Sequence, residues 1–299
     1  MSGLYKLNRF SLFLTIIFSC QQILAKDIIS PQAENEPPNI GNFALPPSQQ
    51  PGPFLSFGQS LIEKDQMQFY VAPNYLKSRS EHFSSTPISF VYGLSDKASL
   101  LLSLPIAASY VSDNHSSGIG DIYIQGEYSP YDNSTSKYAD QLTVVGGLSA
   151  PSGSFRKDPP TGFGAPSYFL GSTYNRMSVD WLWFAASGLT WIEKNGEVKL
   201  GTQYLYQSGL GRNIKSVTGK YIFFSLVEVH GVHMDKDKVS GEADPDTGGD
   251  LLLITPSLWF STQKFFFQLG WSTPIYQALN GEQSKFNYHI NGVLGVTFN

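Results

Sequence analysis

Charge is scarce in this chain: Asp, Glu, Lys and Arg together make up 15% of its 299 residues, against roughly a quarter in an ordinary globular protein. Cysteine is almost missing. Cys20 is the single one, which excludes an intrachain disulfide framework and a cysteine-built metal site. Beyond residue 25 no stretch reaches the roughly eighteen consecutive apolar residues of a membrane-spanning helix. If the mature chain crosses a membrane, it must do so as a closed barrel of strands. A basic surplus is missing too, because removing Lys6 and Arg9 with a leader leaves 18 basic against 24 acidic residues. That balance speaks against a nucleic-acid partner.

Aromatic residues are plentiful, 21 Phe, 16 Tyr and 5 Trp, 14% of the chain. Such an excess without long apolar runs fits the aromatic girdles at the two rims of a membrane barrel; an aromatic-rich soluble β protein is the plainer alternative. The first 25 residues read as an export signal: Lys6 and Arg9 precede an apolar stretch over 10–19, and Ile23-Leu24-Ala25 offers a small residue for cleavage after Ala25. Ile17-Phe18-Ser19-Cys20 is a rival, lipobox-like site with a poorly fitting Phe18, and an uncleaved anchor helix is a third reading that the short apolar stretch disfavours. Residues 26–65 follow as a proline-rich segment, periplasmic or tucked into a lumen, and residues 66–299 as the barrel itself.

The terminal stretch 286–299 carries the clearest pattern. Phe286, Tyr288, Ile290, Gly292, Leu294, Val296 and Phe298 alternate with Asn287, His289, Asn291, Thr297 and Asn299, one face apolar and one polar. Its length exceeds the usual five or six residues of a soluble strand and suits the roughly nine to eleven of a tilted bilayer crossing. Similar alternation upstream divides the chain into about twelve strands, an all-β antiparallel transmembrane barrel. Short turns are expected at 95–97, 175–177, 213–216 and 262–264, and longer outer loops at 79–86, 112–118, 151–164, 235–249 and 276–285. Two joins break this rule, a long inner turn at 131–140 and a tight outer hairpin at Asn195-Gly196. Pro105, Pro151 and Pro274 fall where strands end at one rim; Pro256 lies mid-strand, where a bulge or gap is expected.

Parity also assigns a lumen-facing, substrate-binding set: Gln125, Glu127, Thr143, Gln203, Gln207, Asn287, His289 and Asn291. Being mostly neutral, these residues do not form a ring selective for ions; the bland alternative is an interior packed with side chains and no path. His82-Phe83-Ser84 and His115-Ser116-Ser117 have the two-residue spacing of a base and nucleophile, but both fall in expected loops and read as polar loop residues. His230 and His233, three apart, face opposite sides of a strand and cannot chelate one ion. Asp235, Asp237, Glu242, Asp244, Asp246 and Asp250 lack the spacing of a calcium loop and read as a solvated acidic loop. No catalytic residue, metal or cofactor is assigned.

Several phrases, spread in order over 59–299, resemble the outer-membrane barrel family named for the MetA pathway of phenol degradation, itself related to long-chain fatty acid transporter-type barrels. They are Gly118-Ile119-Gly120-Asp121, Gly147-Leu148-Ser149-Ala150-Pro151-Ser152-Gly153, Gly209-Leu210-Gly211, Thr255-Pro256-Ser257-Leu258 and Thr273-Pro274-Ile275. The resemblance implies a channel in the bacterial outer membrane for small hydrophobic or aromatic compounds, with no defined set of contact residues. The partners expected are outer-membrane lipids, the barrel assembly machinery acting through the C-terminal strand, and the solutes themselves. A structural or adhesive surface barrel is the main alternative, and a lipid-modifying enzyme comes after it.

Overall fold

The structure, a computed structural model, describes residues 36–58 and 61–298. The signal segment, Cys20, Ala25 and Asn299 lie outside the described residues. Twelve barrel strands follow one another: β1 (Met67–Val71, continued as Asn74–Ser78 past a break at Ala72-Pro73), β2 (His82–Ser95), β3 (Ala98–Val111), β4 (Ile122–Ser134), β5 (Tyr138–Ala150), β6 (Ser167–Ser178), β7 (Trp181–Ile192), β8 (Gln203–Val217), β9 (Tyr221–Met234), β10 (Gly249–Thr262), β11 (Phe265–Leu279) and β12 (Phe286–Phe298). Each pairs antiparallel with its predecessor, and β12 pairs with both halves of β1. The sheet is therefore closed and leaves no edge to aggregate.

Alternation along the strands decides which face is which. In β12, Ile290, Leu294 and Phe298 are exposed while His289, Asn291, Val293 and Thr297 are buried. Every strand exposes at least one large apolar side chain: Phe69, Phe90, Leu102, Ile124, Leu148, Leu170, Trp183, Leu210, Val227, Leu258, Leu269 and Leu294, in order from β1 to β12. A continuous apolar belt of this kind exceeds any patch a soluble monomer tolerates and is what a bilayer requires. Aromatics gather at both margins, with Trp181, Phe265 and Phe298 towards the end with short turns and Tyr168, Trp191, Tyr204 and Tyr276 towards the other. The short-turn end is the periplasmic one in barrels of this type.

The connections are more regular than the sequence suggests. Short turns span 96–97, 135–137, 179–180, 218–220 and 263–264. The expected long turn at 131–140 closes because β4 continues past Pro130 by a register shift between Tyr128 and Tyr131, so that Asp132 and Asn133 still pair with Gln141 and Asp140. The turns expected at 175–177 and 213–216 lie a few residues later, since polar Asn175 and Lys215 remain in the ladders. The loop expected at 79–86 shrinks to 79–81, because Ser84 and Ser85 pair with Tyr75 and Asn74. Asn195-Gly196 does form a turn, with Gly196 at φ +57°, but it sits beyond the barrel. Val198–Lys199 leaves the wall to pair with Lys238–Val239, which pairs with Glu242–Ala243, in a small outer sheet.

Prolines mark gaps in the wall. At Pro105 the partner of β3 changes from β4 to the short strand His115–Ile119. Pro256 keeps its place opposite Val227 on β9, whereas its ladder to β11 is interrupted between Ile254 and Ser257. A missing donor explains both interruptions.

Inside the wall lies the proline-rich segment. Residues 42–45 and 48–58 are buried. Its first limb starts at the short-turn end, where the Asn42 and Gly219 amides donate to Val179 and Ala44 carbonyls. It rises past Ser261 and Thr297, both hydrogen-bonded to Gln49, and reaches mid-barrel at Phe54–Phe57. The return limb is tied to Ser99 through the Ile62 amide and to Asp96 through the Lys64 amide, back at the short-turn end. Of the two placements open for residues 26–65, the described part takes the lumenal one.

Candidate functional site

The lumen around the tip of this plug is built by residues from four strands. Glu228 on β9, 0% exposed, accepts the Phe54 amide at 2.8 Å and the Leu55 amide at 3.4 Å through one oxygen, Oε1. Gln207 on β8 donates to the Leu55 carbonyl at 3.3 Å, and Thr173 on β6 to the Phe57 carbonyl at 2.6 Å. Room for the tip comes from missing side chains. A Cβ on Gly270 of β11 would stand 2.3 Å from the Phe54 ring, and one on Gly171 of β6 would stand 2.6 Å from the Phe57 ring. Neither distance is compatible with an alanine, so these two glycines are holes through which the plug's rings fit the wall.

Below the tip, Phe43, Leu45, Phe54 and Ile62 pack with Val91, Leu101, Phe184, Phe224, Trp259 and Phe266 from the wall. Above it, Phe57 packs with Phe83, Tyr110, Leu205, Val232 and Leu251, and with Phe163 and Ala165 from the outer loop 151–166. The lumen is thus apolar over much of its height, where the parity set alone suggests a mainly hydrogen-bonding one. Strands such as β7 and β9, apolar on both faces, carry the difference.

Seven of the eight residues assigned to the lumen by parity, Gln125, Glu127, Thr143, Gln203, Gln207, His289 and Asn291, are buried. Asn287 is exposed, because a register shift between Phe286 and Tyr288 puts Phe286 inside in its place. The seven do not converge on one point. Tyr123, Gln125 and Glu127 form a chain, with the Tyr123 hydroxyl donating to Gln125 at 2.7 Å and Gln125 to Glu127 at 2.6 Å. His289 pairs with Asn291 at 3.0 Å on β12, four strands away.

At the outer mouth, loops are held on buried carboxylates. Asp121, 0% exposed, accepts the amides of Gly153 at 2.8 Å and Phe163 at 2.7 Å and so folds loop 151–166 over the barrel. Burial pushes its carboxyl above the usual range, and those two amide donors act against the rise. Asp237 departs from the solvated acidic loop expected of it: 2% exposed, it accepts the Gly201 amide at 2.7 Å, and burial raises it to about 6. Among the described residues no cluster of His, Cys, Asp and Glu could hold a metal ion.

His230 lies in the lumen and His233 on the exposed face, where Nδ1 meets Asp250 Oδ1 at 2.8 Å. His82 and Ser84 are not loop residues; they sit on β2 flanking buried Phe83, on the outward side. Among the described residues no hydrogen bond joins them, and the His82 ring lies 6.0 Å from that of Tyr75. His115 and Ser117 are exposed at the outer rim, while Ser116 donates to the Pro159 carbonyl at 2.5 Å.

A closed antiparallel barrel with an apolar belt, aromatic margins and an internal plug superposes on the crystal structure of an outer membrane channel from Pseudomonas putida F1. The TM-score is 0.64 at 14% identity, covering 91% of this chain and 100% of that one. This chain has the outer-membrane β-barrel fold. A NanC porin structure aligns more loosely, with a TM-score of 0.47 at 8% identity over 77% of this chain and 99% of that one. No family model matches the sequence, and no curated protein matches it.

Sequence reasoning missed the residues that grip the barrel's plug. Glu228 stands in Leu226-Val227-Glu228-Val229-His230, a lone acidic residue within an apolar strand. An ionisable group at such a position in a membrane-crossing strand is itself the signal.

Proposed function

We propose that this chain is an outer-membrane channel for small hydrophobic or aromatic compounds, opened by displacement of its N-terminal plug. One observation carries the reading: the lumen is filled by a separate limb of chain, held by hydrogen bonds and glycine holes and entering by one end, instead of by side chains of the wall alone. A stopper of this kind leaves a path when it moves, whereas a barrel packed by its own wall does not. The apolar clusters above and below the tip favour hydrophobic solutes over sugars or ions. The resemblance of the five sequence phrases points to the same class. Contact with outer-membrane lipids through the apolar belt, and assembly through β12, belong to the same proposal.

The test is uptake into liposomes carrying the purified protein, comparing a panel of small aromatic compounds with hydrophilic sugars and with empty liposomes. Protein-dependent uptake of the aromatics alone supports the reading. Equal passage of sugars would make the protein a general pore. Failure of both would leave a closed structural or adhesive barrel presenting its outer loops.

A further inference from the structure

Leu55 is held in the lumen as a bound solute would be held. Its side chain borders a cavity of about 30 Å3, lined also by Leu205, His230, Val232, Leu251 and Leu253. Its amide faces Glu228 Oε1 and its carbonyl accepts from Gln207. The tip therefore supplies an apolar body flanked by one donor and one acceptor. The wall keeps further capacity that the tip leaves unused: Glu228 Oε2, Gln207 Oε1 and both ring nitrogens of His230 have no hydrogen-bond partner, although these residues are only 0%, 7% and 8% exposed. His230 Nε2 stands 3.7 Å from Glu228 Oε2, outside hydrogen-bonding reach.

Seating a leucine needs none of these groups, and an ionisable residue at mid-membrane depth is costly to keep. The geometry points to a ligand site at Glu228, Gln207 and His230 for which the plug tip is the resting occupant. The ligand is a small apolar molecule whose head both donates and accepts a hydrogen bond, as a hydroxyl or a secondary amide does. Its donor takes the Glu228 carboxylate, its acceptor takes Gln207 or His230, and its apolar body takes the place of the Leu55 side chain. The cavity beside the tip offers only about 30 Å3, too little for such a molecule, so the ligand displaces the tip instead of sitting beside it. An apolar molecule without a donor would leave the carboxylate unpaired and is rejected for that reason. The site names the solute class for the proposed channel, and passage of the bound solute through the barrel rests on that channel reading.

The experiment uses the full chain in nanodiscs with Ser56→Cys at the plug tip and Cys20→Ser, and reads the rate at which a water-soluble maleimide labels the tip. The probes are 1-hexanol against its methyl ether, and N-butylacetamide against N-butyl-N-methylacetamide. The expected result is saturable acceleration by the donor-bearing member of each pair, at least tenfold above its donor-blocked partner, with the preference lost in Glu228→Gln. Acceleration by the alcohol pair alone, or by the amide pair alone, assigns the head to that chemistry. Equal acceleration by blocked and unblocked probes overturns the site, as does no acceleration by any. Should Glu228→Gln fail to fold, Gln207→Leu gives a second reading: the preference, taken over that variant's own baseline, must fall several-fold, and an unchanged preference counts against the site. Liposome uptake of the same probes separates the two proposals. Donor-selective labelling without uptake would sink transport and leave the site, whereas uptake without donor preference would sink the site and leave transport.

Discussion

At the scale of single residues, the two glycine holes and the buried acids are where substitution acts most sharply. Gly270→Val places a branched side chain where even a Cβ lies 2.3 Å from the Phe54 ring, so the ring must leave its seat; overpacking of this kind costs about 1–3 kcal/mol. The expected outcome is a larger conductance in planar bilayers. Gly126→Val, on the exposed face of β4 with nothing within 4 Å, should leave it unchanged, and equal traces from the two variants would show that the tip does not limit the path. Asp237 predicts a pH effect of unusual sign. Its folded value of about 6 lies above the ordinary 3.8, so between those values the folded loop holds a proton that the unfolded chain has lost. Its contribution to stability falls as pH rises through that window and is weakest near neutrality. Hydrogen exchange of the Gly201 amide, corrected for the intrinsic rate, should show greater protection at pH 4 than at pH 7. Asp237→Asn should flatten that difference, and a profile unchanged by the substitution would refute the assignment.

Among the elements, loop 151–166 depends on one carboxylate. Asp121→Ala leaves the Gly153 and Phe163 amides without their acceptor, a loss of about 1–3 kcal/mol for each buried group left unpaired. Trypsin should then cut after exposed Arg156 or Lys157 many times faster than in the parent, with the barrel core intact; parental rates would show the loop to be held elsewhere. Strands were the legible elements in the sequence, because a period of two survives any tertiary context as long as one face meets lipid. β4, β5 and β12 showed it plainly, whereas Trp181-Leu182-Trp183-Phe184 in β7 did not, since the wall there is apolar on both sides. The turns were misplaced where polar residues such as Ser84, Asp132 and Lys215 stay in the ladder, as ladders near the rims accept them. Asn287 was misassigned for a related reason: a one-residue slip inverts facing locally, and parity carries no mark of it. The plug was legible only as a place. Its prolines forbid a paired strand, but its fit to the lumen rests on distant partners such as Glu228 and Gly270 that no local pattern connects to it.

For the whole molecule, the apolar belt and the lumen respond oppositely to charge. Val227 on β9 is 47% exposed and lies near the middle of its strand; Val227→Arg should cost about 2–4 kcal/mol in a folding titration from urea into bilayers. A cost near zero would place that face away from the hydrocarbon. The paths of the two plug limbs carry a different consequence. Both return to the short-turn end, at Asn42 beside Val179 and at Lys64 beside Asp96, so the described part of the segment enters and leaves the barrel from one side. Closure of β12 on β1 does not trap it: it can be seated after the wall is complete. A pull on the N-terminal limb from the periplasm would draw the tip out, rupturing tip contacts one after another without opening a single ladder of the wall. The protein is built like a stopper on a cord, and the hand that works it would have to be on the periplasmic side.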